Sequence, residues 1–251
     1  MSFGVPVIAI GDPGQLPPVK DTWFFPMNEP DFLLTEIHRQ ARDNPVIRLA
    51  HDIRNGMRLR PCTMGDQVVI THRGRIEMSE CPEDMPQVIV GKNATRWRYN
   101  DRIRGHLGYR GLLPNPGEKL LVKKNSQNIP GMINGAEAVS VSMKPTDYFE
   151  HSIEATINLD GEDVDCVVWD GPFRETRFGE RAKTRRKSSD WISSVDNERV
   201  DFGHAITCHS AQGSQWPYVV VLDESETFKT DAQRFLYTAV TRTSNKLVVL
   251  I

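Results

Sequence analysis

Four segments of the sequence combine side chains that are suited to contact with phosphate groups. In the first, Gln15 stands in a loop at residues 11–19, between a turn-forming Gly-Asp-Pro-Gly cluster and the stiff Pro17-Pro18 pair. The amide of Gln15 does not titrate, so it can orient an attacking water molecule or contact a phosphoryl oxygen. The same loop is also explained as an ordinary proline-stiffened connection, and the segment alone does not decide between the two interpretations.

Arginines mark two further segments. Arg39 lies just after an apolar strand predicted in residues 34–37, and Arg234, Thr238 and Arg242 are spaced four apart on one predicted helix. A guanidinium group can hold phosphate oxygens in bidentate fashion, and one that reaches a transferred phosphoryl group stabilises its charge. The alternatives are a solvated arginine at position 39 and, at position 242, a favourable cation near a helix C-terminus.

The fourth segment, residues 204–213, gathers hydroxyls, imidazoles and an amide at a predicted strand-to-helix turn. Such a turn exposes backbone N–H groups and suits a nucleic-acid phosphate. Asp223 and Glu224 end an apolar strand nearby, as acids that bind Mg²⁺ do. Because no phosphate-binding loop accompanies them, we interpret both as polar residues at a strand end.

Buried strands and amphipathic helices are predicted around these segments. Continuous apolar runs at residues 5–10, 87–90 and 218–222 are typical of strands in a parallel sheet, and further strands are predicted at 205–207 and 246–251. A helix is predicted at residues 44–55, where Asn44 is suited to the N-cap and four apolar residues share one face. A second helix is predicted at residues 230–243, with a Thr-x-x-Gln capping box at its start.

Residues 120–190 have a different pattern, because apolar residues alternate and hairpin-type dipeptides recur at Asn134-Gly135 and Asp160-Gly161. This pattern predicts a small antiparallel barrel inserted between α/β elements. Residues 174–187, rich in Arg and Lys, are predicted to form an exposed loop. That loop either lines a DNA path or is a solvated surface of mixed charge.

In this order, the segments GDPGQLPPV (11–19), EIHRQ (36–40), AITCHSAQGSQW (205–216) and LYTAVTR (236–242) resemble motifs III to VI of superfamily 1 DNA helicases. The resemblance is to the RecD-like group, which moves 5′ to 3′ on DNA. It implies an α/β fold, with a RecA-like parallel sheet and an inserted SH3-like β-barrel. Residues 1–30 would end a first RecA-like domain, 31–115 and 200–251 would form a second, and 116–199 would form the insert.

The resemblance also implies a role for each matching residue. Gln15 would sense the γ-phosphate, and Arg39 and Arg242 would reach across a nucleotide cleft as catalytic groups. Ser210 departs from the family's pattern, which commonly has a lysine or arginine there, so one phosphate contact is in doubt. The coupling residues would be Asp12, Gln40, Gln212, Gly213 and Tyr237, and the residues that contact single-stranded DNA would be Asn93, Thr95, Thr207, His209, Ser210 and Ser214.

The RecD-like group begins with a Walker A loop and a DEx(x) motif, and residues 1–251 contain no Walker A sequence. ATP and Mg²⁺ would therefore be bound mainly by an N-terminal part in cis or in trans. We expect that this chain alone does not hydrolyse ATP, whether it is a fragment, a truncated reading frame or half of a split enzyme. The alternative is a non-catalytic module that binds single-stranded DNA or regulates a partner; no carboxylate cluster favours a nuclease.

The composition adds few constraints. The net charge is −2 over 251 residues, so a DNA-binding surface has to be a local patch. Four scattered cysteines without a CxxC pair predict reduced thiols, no metal site and a cytoplasmic protein. No apolar run is long enough to predict a membrane span.

Overall fold

The computed structural model describes residues 4, 6, 8–18, 30–33, 44–74, 85–146, 151–178 and 197–251. These ranges form a six-stranded, mostly parallel sheet with helices on both faces, and a five-stranded antiparallel sheet beside it. The observed architecture is therefore α/β, as predicted. The longest helix in these ranges has 14 residues, and none is long and apolar enough to cross a membrane.

The strands of the parallel sheet, in spatial order, are β1 (Cys62–Met64), β2 (Val68–Thr71), β11 (Thr243–Leu250), β10 (Trp216–Leu222), β3 (Gln87–Val90) and β9 (Ala205–Thr207). Only the β1–β2 pair is antiparallel. The central strands are almost continuously apolar because both faces are covered. Alternate residues of β10, such as Val219 and Val220, belong to the two opposite cores.

Helices α1 (Pro45–Arg54) and α4 (Ala232–Val240) pack on one face of this sheet. The prediction for α1 is confirmed, since Asn44 Oδ1 accepts the backbone N–H of Val46 at 2.8 Å and the predicted apolar face is buried. The capping box predicted for α4 is wrong. A 3₁₀ helix, Ser225–Asp231, leads into α4, and no side chain caps the helix.

Helix α2 (Asn93–His106) lies on the opposite face and buries polar side chains. Asn100 bonds both backbone groups of Ala205 in β9, at 2.8 and 2.9 Å. Arg96 forms a buried ion pair with Asp201, and Arg104 forms another with Glu118. These contacts join α2 to both sheets.

The strands of the five-stranded sheet, in spatial order, are β7 (Glu162–Trp169), β6 (Ser152–Leu159), β5 (Glu137–Pro145), β4 (Lys119–Val122) and β8 (Val200–Phe202). A two-residue turn at Asp160-Gly161 joins β6 and β7, as predicted. Glu198 pairs with β7, which brings the two edges of the sheet together. Only Gly203 and His204 separate β8 from β9 of the parallel sheet.

Two further expectations differ from the structure. Residues 8–10 are not a strand, and Ile8 and Ile10 are 85% and 94% exposed, because no described strand pairs with them. Helix α3 (Gly171–Phe178) includes residues 174–178 of the predicted exposed loop, and Phe173 of this helix packs against Phe202 in the core. Residues 179–187 of that loop lie outside the described ranges.

Candidate nucleotide and nucleic-acid site

The loop that carries Gln15 is fastened to helix α4. Tyr237 donates its hydroxyl proton to Asp12 Oδ2 at 2.8 Å, and the backbone N–H of Leu16 donates to Thr238 Oγ1 at 2.8 Å. Within the loop, Gly14 N–H donates to Asp12 Oδ1 at 2.8 Å. Leu16 is buried in the core that α4 covers. The structure thus brings together two segments that are more than two hundred residues apart in sequence.

Asp12 is the centre of this contact, and it receives more than one donor. Gln15 Nε2 lies 3.4 Å from Asp12 Oδ2, and Arg54 Nη1 lies 3.9 Å from Asp12 Oδ1. Burial, with added effects of the hydrogen bond and charge of Asp12, raises the pKa of Tyr237, so its hydroxyl stays protonated and donates at neutral pH. A shallow cleft of about 220 Å³ opens beside the loop and is lined by Pro13, Gly14, Arg54, Gln233, Arg234 and Tyr237.

Arg54 was not predicted to belong to the site. It is the last residue of α1, and the sequence indicates only that its positive charge is favourable at a helix C-terminus. Its guanidinium carbon lies 5.9 Å from the centre of the Tyr237 ring, and its side chain remains 45% exposed. The guanidinium of Arg54 therefore places a positive charge at the mouth of the cleft.

Arg242 lies just after α4, with its guanidinium bonded locally. Nε donates to Thr238 O at 3.1 Å, Nη1 to Ser214 O at 3.3 Å and Nη2 to Thr241 Oγ1 at 3.1 Å. Burial lowers the pKa of Arg242. Its side chain thus joins α4 to the segment after β9, and it does not line the cleft near Gln15.

The turn after β9 contacts the Gln15 loop directly. Gln212 Nε2 donates to Leu16 O at 2.8 Å. The His209 ring is hydrogen-bonded to the backbone of Pro17 and lies 6.0 Å from the Phe228 ring. Burial lowers the pKa of His209, while the bond to Pro17 opposes that shift. Residues 208–213 form successive turns, and the predicted helix does not follow them.

The residues expected to contact DNA occupy different environments. Asn93 is exposed at the start of α2, and Thr207, His209, Ser210 and Ser214 are partly exposed around the turn after β9. Thr95 is buried and donates its hydroxyl proton to Glu224. Gly213 has a φ of +89°, a conformation that favours glycine. Arg39 and Gln40 lie outside the described residues.

Glu224 has a structural role, in agreement with our interpretation of it as a polar residue at a strand end. Its Oε2 accepts the backbone N–H groups of Gly91 and Lys92 at 2.8 and 2.9 Å, and its Oε1 accepts the Thr95 hydroxyl at 2.6 Å. These bonds satisfy donors at the start of α2, where the N-cap residue, Lys92, makes no side-chain cap.

We expect Glu224→Ala to lower the free energy of unfolding by about 1–3 kcal/mol, because three donors at a helix start lose their acceptor. Urea unfolding measures the change, and Glu226→Ala, an exposed acid in the adjoining 3₁₀ helix, is the matched control. A Mg²⁺-dependent rise in the wild-type melting temperature that disappears in Glu224→Ala would contradict this role.

Comparison with known proteins shows similarity to DNA helicases. Residues 202–250, which hold the turn after β9 and all of α4, match the UvrD-like helicase C-terminal domain. Over 262 aligned residues the chain is 25% identical to the ATP-dependent RecD2 DNA helicase of Deinococcus radiodurans, covering 97% of this chain and 32% of that helicase. The chain is similar to the C-terminal portion of RecD-like helicases.

A solved helicase structure supports the fold of this chain. The Pif1 helicase from Candida albicans superposes with a TM-score of 0.50 at 16% identity, over 86% of this chain and 55% of that one. A Bacteroides Pif1 helicase in complex with ADP-AlF3 and ssDNA gives a TM-score of 0.47 at 13% identity, over 86% of this chain and 51% of that one. The chain therefore spans about a third of the RecD2 relative and about half of the Pif1 structures.

Proposed function

We propose that this RecD-like chain is the C-terminal part of an ATP-dependent helicase that moves 5′ to 3′ on single-stranded DNA and unwinds duplex DNA. The parallel sheet would be a RecA-like domain, and the antiparallel sheet an SH3-like insert. ATP and Mg²⁺ would bind mainly to a part that carries the P-loop. This chain would supply groups that complete the nucleotide site and hold the DNA strand.

The Gln15 loop and the turn after β9 contact each other, and we assign them different roles: the loop to the nucleotide and the turn to DNA. On the nucleotide side, Gln15 would sense the γ-phosphate or its attacking water, and Arg242 would turn from its local acceptors toward the transferred phosphoryl group, together with Arg39. On the DNA side, the polar groups of the turn would hold the strand through its phosphates. These groups belong to Thr207, His209, Ser210 and Ser214, with Asn93 at the start of α2.

The observation that carries the proposal is the hydrogen bond from Gln212 Nε2 to Leu16 O, at 2.8 Å. Gln212 stands in the turn assigned to DNA, and Leu16 directly follows Gln15. A shift of that turn when DNA binds is therefore transmitted to Gln15 by one side chain. A module that only bound DNA would have no need for this connection.

The proposal is tested by measuring ATP hydrolysis stimulated by single-stranded DNA, for the chain alone and mixed with a separately made half that carries the P-loop. We expect activity only in the mixture. Hydrolysis by the chain alone would contradict the requirement for a P-loop part. DNA binding without hydrolysis in either sample would favour the non-catalytic binding module.

We expect Gln212→Ala to reduce the DNA stimulation of ATP hydrolysis in the mixture by about tenfold, since a connection worth one hydrogen bond of roughly 1.4 kcal/mol is lost. Hydrolysis without DNA should change by less than about twofold, within a few tenths of a kcal/mol. The matched control is Gln215→Ala, an exposed glutamine in the same segment. Equal stimulation of wild type and Gln212→Ala would remove the observation on which the proposal rests.

A further inference from the structure

A cluster of charged side chains lies where the antiparallel sheet meets the turn after β9. Arg96 of α2 and Asp201 of β8 form a buried ion pair. Lys123, directly after β4, interacts electrostatically with both residues. The positive charge of Arg96 disfavours the protonated form of Lys123, and the negative charge of Asp201 favours it. Two cations thus share one carboxylate, which leaves a surplus positive charge.

Lys123 is held in this cluster by its backbone and by its side chain. Its N–H donates to Arg199 O at 2.7 Å, and its Nζ donates to Ser210 Oγ at 2.8 Å. Among the described residues, no carboxylate forms an ion pair with Lys123. Burial, and secondarily the charge of Arg96, lowers its pKa. A largely buried ammonium without its own counter-ion is unfavourable, and a bound anion would remove that cost.

The groups around the Lys123 ammonium are suited to an oxyanion. Ser210 Oγ lies 3.0 Å from Thr207 Oγ1, so two hydroxyls and one ammonium converge at the carboxyl end of β9. A Cβ atom at Gly135 would lie 3.9 Å from Ser210 O, which shows that the β4–β5 loop packs on this turn. Ser210 itself has no charge, and the ammonium beside it belongs to the other sheet.

We propose that Lys123 is a DNA-binding residue whose ammonium, with the hydroxyls of Ser210 and Thr207, binds one backbone phosphate of single-stranded DNA. The inference rests on the proposed function, which assigns the turn after β9 to the DNA strand. It adds that the antiparallel sheet supplies the cation for that contact. The surplus charge of the cluster is then neutralised when DNA is bound.

The test is the affinity of the chain for fluorescein-labelled oligothymidylate of about 20 nucleotides, measured by anisotropy between about 50 and 200 mM salt. Lys123→Gln removes the charge and keeps a donor for Ser210. We expect it to weaken binding about tenfold at the lower salt concentration, and to reduce the slope of log affinity against log salt by about 0.7, the value for one phosphate contact on a single strand. Lys246→Gln is the matched control, an exposed lysine at the opposite end of the parallel sheet.

The double variant Lys123→Gln with Ser210→Lys returns a cation to the same place and should restore both the affinity and the slope. Weaker binding with an unchanged slope would overturn the phosphate contact, as would Lys123→Gln binding like Lys246→Gln. If glutamine disturbs the fold, as circular dichroism would show, Lys123→Met has to give the same loss of slope. A wild-type chain that binds no oligothymidylate, alone or with the P-loop half, would overturn the proposed function as well.

Discussion

Arg242→Ala should lower DNA-stimulated ATP hydrolysis by the chain mixed with its P-loop half by about a thousandfold, the lower end of what an arginine finger contributes. In the structure the guanidinium is bonded to Thr238 O and Ser214 O, both weak, neutral acceptors. Because burial disfavours its charge, a transferred phosphoryl group would be a better partner than these carbonyl oxygens. The measurement is the maximal hydrolysis rate at saturating ATP and DNA.

Two controls separate catalysis from folding in this experiment. Arg48→Ala removes an exposed arginine from α1 and should keep the wild-type rate. Arg242→Lys keeps the charge but not the planar fork, so it should lose most of the activity as well. Oligothymidylate binding by Arg242→Ala should stay near wild type. A rate within about threefold of wild type, less than a kcal/mol in barrier height, would exclude the catalytic role.

Arg104→Met should lower the free energy of unfolding by about 3–5 kcal/mol, because it leaves the carboxylate of Glu118 buried without its partner. Both side chains of this pair are 3% exposed or less. Arg104 also donates to Gly111 O and Leu113 O at 3.1 Å, and its guanidinium lies 4.0 Å from the Phe202 ring centre. One residue thus holds α2, the following loop and β8 together. Urea unfolding of wild type and variant measures the difference.

The matched control is Arg102→Met, which changes an exposed arginine of the same helix and should cost less than about 0.5 kcal/mol. Glu118→Leu added to Arg104→Met should recover a large part of the loss, since the unpaired charge is then gone. A stability loss below about 1 kcal/mol for Arg104→Met would contradict the importance of the pair.

Low pH should also reduce the free energy of unfolding, through protonation of Glu118. Burial acts to raise the pKa of Glu118, but the imidazole of His204, 3.5 Å away, and the hydrogen bonds from Arg104 and the Asn115 N–H outweigh it and hold the pKa below 4.5. A carboxylate with a lowered pKa stabilises the fold above its unfolded pKa, and this stabilisation disappears as pH falls through the folded value. The wild-type chain should therefore lose stability below about pH 4.5, and Arg104→Met should lose less over the same range.

The elements that sequence predicted correctly are those specified by local patterns. Helix α1 has its cap and its apolar face within one short segment, and β6 and β7 have alternation and an Asp-Gly turn. Helix α2 was missed because Asn100, Arg96 and Arg104 occupy buried positions where apolar residues would mark a helix. The strand predicted from the apolar run was wrong at residues 8–10, because a strand forms only when neighbouring strands pair with it, and the local sequence does not show whether they are present.

The sequence likewise predicted only some of the residues of the candidate site. The order of the motifs predicted that Gln15, Gln212 and Arg242 belong to one site, yet no spacing rule predicts that Tyr237 donates a hydrogen bond to Asp12. Arg54 and Lys123 reach the site only through the packing of other elements, so their positions in sequence contain no signal.

The two-residue link between β8 and β9 has a consequence for the order in which the chain folds. Strands β5, β6 and β7 pair with near neighbours in sequence, whereas β3 has to find β9, with Val88 paired to Ala205. Contacts between distant residues form slowly because a long loop has to be closed first. Once β8 has paired with β4, Gly203 and His204 leave β9 almost no freedom, so most of that loop is already closed. We therefore expect the antiparallel sheet to form first and to shorten the loop that pairing of β3 with β9 still has to close.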